Sequence, residues 1–312
     1  MFRVFRPGIV VALLLLLMAT PAFAQTGTSV GPGIAYPCRS NAPCPPPFFF
    51  RYFPQTGFSI DQDQFWSYFQ RRGSVATFGY PISRTFRLQG FSTQFFQRQV
   101  MQLWPDGSVH LLNLLDTRIM PYTTFNFSTF PAPDPQLIAE APNPTDPNYG
   151  AEALAFIRSH APDEWNGQPV HFARIFFGTV TPLTAFPGQA ANSPQVQALL
   201  PLVQLEVWGL PTSAPAYDPT NLGFIYLRFQ RGVIMYDLSC SCTQGVLFGD
   251  YLKSIIEGQH LPTDLAQEAS ASPYFAQYAP DQPGWLARPN QLPNSDLTAA
   301  FNPPPRPQAT GG

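Results

Sequence analysis

The stretch that decides the fold is FQRGVIMY (Phe229–Tyr236), because FQRQVMQL (Phe96–Leu103) nearly repeats it 133 positions earlier. A five-residue echo arises by chance in a chain this rich in Phe and Gln, so the neighbouring blocks decide. FGYPIS (Phe78–Ser83) and WGLPTS (Trp208–Ser213) match at Gly79/Gly209, Pro81/Pro211 and Ser83/Ser213, each pair 130 apart. LLNLLD and QGVLFGD align on Asp116 and Asp250, 134 apart. Three matched blocks in one order, with slowly drifting offsets, predict a divergent duplication. The predicted class is α+β, with two divergent repeat units of short helix, Gly-x-Pro turn and β-hairpin, set among Pro-rich loops and arms. In this reading the F-Q-R block is the central strand of each unit.

Outward from these blocks, Phe65, Trp66, Tyr68 and Phe69 recur at helical spacing before Gly73, and Asp61 with Gln64 reads as a capping box. Phe91–Trp104 reads as one strand, Pro105-Asp106-Gly107 as a tight turn and Ser108–Leu115 as the return strand. Ala151–Ala161 predicts a short helix. Val170–Val180 looks strand-like, with a buried helix turn as the alternative. Pro194–Gly209 predicts a helix that Pro201 breaks or restarts. The chain thus divides into a leader (1–24), a Pro-rich arm (25–51), a first unit (52–120), a Pro-rich linker (121–150), a second half with the second unit (151–265) and a weakly structured Pro-rich tail (266–312).

The leader has Arg3 and Arg6, an apolar run Ile9–Met18 and small residues at Ala22 and Ala24, the pattern of a cleaved secretory signal. Cleavage near Ala24 places the mature protein outside the cell or on its surface, and takes the formal charge from −2 to −4. That balance gives no electrostatic reason to expect nucleic acid as a partner. No second apolar run approaches a membrane span. Four cysteines in an exported chain predict disulfides. Cys38 with Cys44 and Cys240 with Cys242 is one pairing. Each residue of one pair joined to one of the other is the alternative, and spacing does not choose. The spacing lacks the knuckles of a zinc site, so no metal or other cofactor is expected.

The ordered blocks resemble the LGFP-type repeat of bacterial surface proteins. There an L/F-G-x-P-x-[ST] turn leads to a strand of Q-R-F-x-x-G-x-I-Y type. Here the first unit shows FGYPIS and FFQRQVMQLW; the second shows WGLPTS and RFQRGVIMY, with Gly232 and Tyr236 in the family's places. The leucine of the repeat's name is Phe78 in one unit and Trp208 in the other. The mature chain is also similar to secreted bacterial proteins carrying Tyr-Phe-Pro-x-Thr-Gly and Phe-Gly-Tyr-Pro units. The resemblance implies a non-catalytic role at the cell envelope, with cell-wall glycan or other surface proteins as partners.

No residues announce a reaction. The histidines (His110, His160, His171, His260) stand in no metal-ligand spacing. The GxSxG match at Gly27–Gly31 lacks the strand and helix of a nucleophile elbow. Asp163-Glu164-Trp165 places two carboxylates on one turn, without the opposed geometry of a glycosidase. The candidate ligand contacts are Tyr80, Trp104, Trp208 and Tyr236, whose rings can stack on sugar faces if they are not core. Arg98 and Arg231 join them, although each is expected to pair with a carboxylate of its own unit, Asp116 or Asp250. The expected function is glycan or cell-wall binding without catalysis. The alternative is a secreted hydrolase that uses the repeats for targeting.

Overall fold

The computed structural model describes residues 51–116, 118–280 and 291–305. The predicted leader, most of the arm with Cys38 and Cys44, and the end of the tail lie outside the described residues. The fold is mixed α+β, with helices and antiparallel sheets. In chain order, a hairpin of β1 (Tyr52–Phe53) and β2 (Phe58–Ser59) precedes α1 (Asp63–Arg71) and α2 (Ser74–Phe78). A four-stranded meander follows: β3 (Phe86–Leu88), β4 (Phe91–Phe95), β5 (Val100–Leu103) and β6 (Val109–Leu111). Next come the hairpin β7 (Thr124–Phe125) and β8 (Ser128–Thr129), then α3 (Pro135–Glu140), α4 (Tyr149–His160), α5 (Phe172–Gly178), α6 (Pro182–Ala185) and α7 (Pro194–Trp208). A second meander comprises β9 (Ala216–Tyr217), β10 (Phe224–Arg228), β11 (Val233–Asp237) and β12 (Cys242–Gly245). Helices α8 (Phe248–Glu257) and α9 (Thr263–Ala269) close the order.

The F-Q-R blocks are not strands. Each is the four-residue turn between the two central strands of its meander, closed by Phe96 N–H to Gln99 O (2.8 Å) and by Phe229 N–H to Gly232 O (2.8 Å). Gln and Arg are not turn formers; here their side chains find partners that hold the backbone. The Gln97 carbonyl oxygen accepts from Tyr80 N–H at 3.0 Å, and that of Gln230 accepts from Leu210 N–H at 3.0 Å. In return, Gln97 N–H donates to Tyr80 O and Gln230 N–H to Leu210 O. Gly79 and Gly209 share one backbone conformation, φ 72° with ψ −167° and φ 73° with ψ −169°. A Cβ on either glycine would stand 2.7 or 2.6 Å from the glutamine Cβ, so only glycine admits that side chain. Pro81 bridges to Phe96 and Pro211 to Phe229, while Ser83 Oγ accepts from Phe95 N–H and Ser213 Oγ from Arg228 N–H. Every matched turn residue thus has the same bond at its counterpart.

Two arginines complete the pattern. Arg98 Nη1 donates to Val75 O at 3.3 Å and Arg231 Nη1 to Leu205 O at 3.4 Å. Both carbonyls lie in the last turn of a helix, where a cation complements the dipole. The expected pairing with a carboxylate of the same unit does not occur: Asp116 pairs with Arg118, and Arg98 instead feels Asp250 of the other half. The helix carbonyls stand directly behind the turns and capture the guanidinium groups first.

Several sequence expectations are corrected. Phe91–Trp104 is two strands, not one, because the F-Q-R turn divides it. Gln62 precedes α1 without a side-chain cap, while Asp61 accepts weakly from Thr85 N–H instead, so the capping box is not formed. Val170–Val180 holds no strand; the alternative of a buried helix turn applies, as helix α5 (Phe172–Gly178), with Phe172 and Phe176 one turn apart and buried. Helix α7 runs through Pro201 without a break. The 121–150 segment is not a linker: Phe125, Phe130 and Leu137 are buried, and the Asp134 carboxylate caps α3. The tail is structured in part, for Leu292, Leu297 and Phe301 enter the core of the first meander, where Phe301 meets Phe86 and Phe95 edge-on.

The halves interlock at their turns. Gln99 Nε2 donates to Arg231 O at 2.9 Å, and Asp250 N–H donates to Gln97 O at 3.1 Å. Tyr68 of α1 and Arg72 just after it both bond the Glu206 carboxylate of α7, and burial followed by that carboxylate drives the Tyr68 phenol well above its ordinary value. Ile225 and Leu227 on β10, with Phe229 of the turn that follows, face the core under α5 and α7, while Tyr226 joins the core of the first meander. Arg228 is 3% exposed; among the described residues its guanidinium bonds only Leu115 O, at 3.4 Å, and Nη1 has no hydrogen-bond partner. Burial alone lowers its pKa to about 10.

A candidate ligand cleft between the halves

The sequence-predicted contacts scatter. Trp208 and Tyr236 are 5% and 2% exposed and belong to the core of the second half, so neither can stack on a ligand. The Trp208 ring lies under Gly232 and Gly245. Tyr80 is half-buried, with its ring 5.9 Å from that of Phe53. Trp104 alone among the four is exposed, at 44%, beside the rings of Phe91 (5.8 Å) and His110 (4.3 Å). Arg231 serves its helix end. Arg98 alone of the six lines a cleft, while its Nε also donates to Gly245 O at 3.3 Å.

That cleft, of about 550 Å³, opens where the first half's F-Q-R turn meets β11, β12, α8 and the β7–β8 hairpin. One side is aromatic. Phe125 and Tyr251 stand 4.9 Å apart by ring centroid, and Phe130 and Tyr226 stand 4.7 Å apart; Phe125, Phe130 and Tyr226 are buried and back the wall, so only the half-buried Tyr251 offers a ring face. Burial raises the Tyr226 phenol to about 12 and pushes Tyr251 upward as well, so both stay protonated donors at neutral pH. The other side is polar, with Arg98, Asp250, Ser254 and His260. Burial raises the Asp250 carboxyl to about 6, against the opposing pull of Lys253 and Arg98. Its side chain accepts no hydrogen bond among the described residues, which leaves both oxygens for a ligand.

Chemically, apolar faces beside planar polar groups suit a polyhydroxylated ring. The Tyr251 face takes its C–H surface, and carboxylate, guanidinium and hydroxyl groups take its hydroxyls. Among the described residues, Asp250 is the only carboxylate lining the cleft, so the opposed pair of a glycosidase is not assembled there. Asp163 accepts from Arg174 N–H at 2.9 Å, and Trp165 pairs with Gln168 across the same turn, as the plain turn reading expects. A serine bonded to both an aspartate and a histidine does occur: Ser108 Oγ lies 2.5 Å from Asp106 Oδ1 and 2.8 Å from His110 Nε2. There the serine stands between the other two, whereas activation needs the imidazole in the middle. Cys240 and Cys242 are disulfide-bonded to each other at the exposed end of β11 and β12.

The sequence reading missed Phe125, Phe130, Tyr226 and Tyr251. The clue was local: FNFSTF (Phe125–Phe130) alternates aromatic and polar residues inside a segment whose prolines suggested a linker. Comparison with known protein families, curated proteins and solved structures finds no match for this chain. No helix among the described residues is long and apolar enough to cross a membrane.

Proposed function

We propose that the protein is exported and associated with the cell envelope, where it binds glycan or cell-wall material without catalysis. Its two halves are divergent copies of an LGFP-like unit, and the cleft beside Arg98 and α8 is the binding site. The cleft carries the reading, through the half-buried Tyr251 ring beside the Asp250 carboxylate, which accepts no hydrogen bond among the described residues. The duplication is supported by the hydrogen bonds that recur at the two F-Q-R turns. Export is supported by the leader pattern at residues 1–24.

The test is co-sedimentation of the mature protein with isolated cell walls and with insoluble polysaccharides, beside Tyr251→Ala. Retention of the wild type that falls at least about tenfold in the variant, equivalent to about 1.4 kcal/mol, supports the cleft. No retention on any material, with no thermal shift from soluble wall fragments, sinks the reading. A hydrolase is the second reading, favoured by one observation: a carboxyl at about 6 is placed to donate a proton near neutrality. Release of reducing ends that Asp250→Asn abolishes would establish it over the first.

A further inference from the structure

Residues Asn126 and Phe127 form the two-residue turn between β7 and β8, since Phe125 pairs with Ser128. Their φ angles are 51° and 61°, both left-handed. Such turns favour Asn-Gly, because glycine takes this backbone without a Cβ clash. The chain has Asn at the first place but phenylalanine at the second. A bulky residue at positive φ is strained, and such strain persists only where the surroundings hold it. Here they do: Phe127 N–H donates to Asp264 Oδ2 at 2.7 Å, and Phe127 O accepts from Thr220 Oγ1 at 3.0 Å.

The side chain gains nothing visible from this arrangement. It is 67% exposed and joins no aromatic pair among the described residues. Its immediate neighbours, Asn126 and Ser128, both line the cleft, whereas Phe127 itself stands outside the lining. Leu222, on the loop that Thr220 anchors, is equally exposed. A strained, clamped and solvent-facing ring at the rim is out of reach of a ligand confined to the cleft. It is well placed for one that extends beyond it.

We infer that Phe127 is a contact residue for an extended saccharide chain. One ring lies in the cleft, and a neighbouring ring crosses the rim and stacks on Phe127. This rests on the glycan reading above and deepens it, because it selects oligomers over single sugars. The cleft and the rim aromatic then act as adjoining subsites on one linear chain.

The experiment titrates the full mature protein with glycan strands released from isolated cell walls and fractionated by length. Wild type should gain affinity between the shortest fragments and longer strands. Phe127→Ala keeps the positive φ but removes the ring; it should leave the affinity for the shortest fragments unchanged and cost at least about tenfold for longer strands. Phe127→Gly, which relieves the backbone, should show the same loss while melting no lower than wild type, which separates contact from folding. Equal affinity of wild type and both variants for long strands overturns the inference and leaves the glycan reading standing. Loss at every length, shortest fragments included, also overturns it. Absence of binding by the wild type at every length overturns both.

Discussion

Replacing Gly249 by alanine tests the junction between the halves. This glycine lies in the first turn of α8, and a Cβ there would stand 1.9 Å from Phe96 O. The struck atom is backbone, in a turn fixed by Phe96 N–H to Gln99 O and Gln97 N–H to Tyr80 O. Helix α8 cannot retreat, because Leu252, Ile255 and Ile256 are fully buried beneath it. Relief requires a shift of more than an ångström. Overpacking of this kind costs about 1 to 3 kcal/mol, and a backbone clash belongs at the upper end. The shift also weakens the Asp250 N–H bond to Gln97 O, worth about 1 kcal/mol. Against this, alanine improves helix propensity by about 1 kcal/mol. The net expectation is a loss of about 3 kcal/mol. Gly178→Ala is the control: it ends α5, nothing stands within 4 Å of its Cβ, and the same exchange should gain about 0.5 kcal/mol. Urea unfolding followed by tryptophan fluorescence compares the three proteins. Should Gly249→Ala fall within about 0.5 kcal/mol of wild type, comparable to an ordinary surface change, the tight junction is refuted.

Two further predictions concern buried charge. Asp250 titrates at about 6 in the folded protein against 3.8 ordinarily. Between those values the native state keeps a proton that the unfolded chain has released, so this group's contribution falls as pH rises and its cost is complete above about pH 6. Asp250→Asn should therefore be more stable than wild type near neutrality by about 1 to 2 kcal/mol, discounted for its partial exposure, and should match it at a pH below both values. A difference that does not change with pH would contradict this. Arg228→Met replaces an unpaired buried guanidinium at the position where the first meander has Phe95, and should raise stability by about 1 to 3 kcal/mol in urea unfolding. A loss of stability would mean that the Leu115 contact matters more than the desolvation.

The positions aligned from the sequence echo, Gly79/Gly209, Pro81/Pro211 and Ser83/Ser213, each make matching bonds. What misled was the state of the F-Q-R block itself. Its composition lacks turn signals, because Gln97 and Gln230 are held by long-range partners that no local window contains. The 121–150 segment looked like a linker for a related reason: its prolines are punctuation between short pieces whose aromatic residues bury elsewhere. The cleft was illegible, since its walls come from Arg98, Phe125, Tyr226 and Tyr251, far apart in sequence, which only tertiary packing brings together. Tryptophans drew attention as ligand contacts, yet Trp208 is needed under two close-approaching glycines, and burial claimed it first.

The placement of Leu297 and Phe301 in the core of the first meander bears on the order in which the protein can be completed. Strands β3 to β6 leave the ribosome well before the residues that fill their inner face, which emerge only after the whole of the second meander. The backbone groups of the Gln97 turn likewise await Asp250. The first meander therefore remains unfinished, with apolar surface uncovered, until Leu292, Leu297 and Phe301 are available. Such dependence on distant sequence slows folding. A chain truncated before residue 291 would hold every strand of both meanders and still lack the pieces that seal the first.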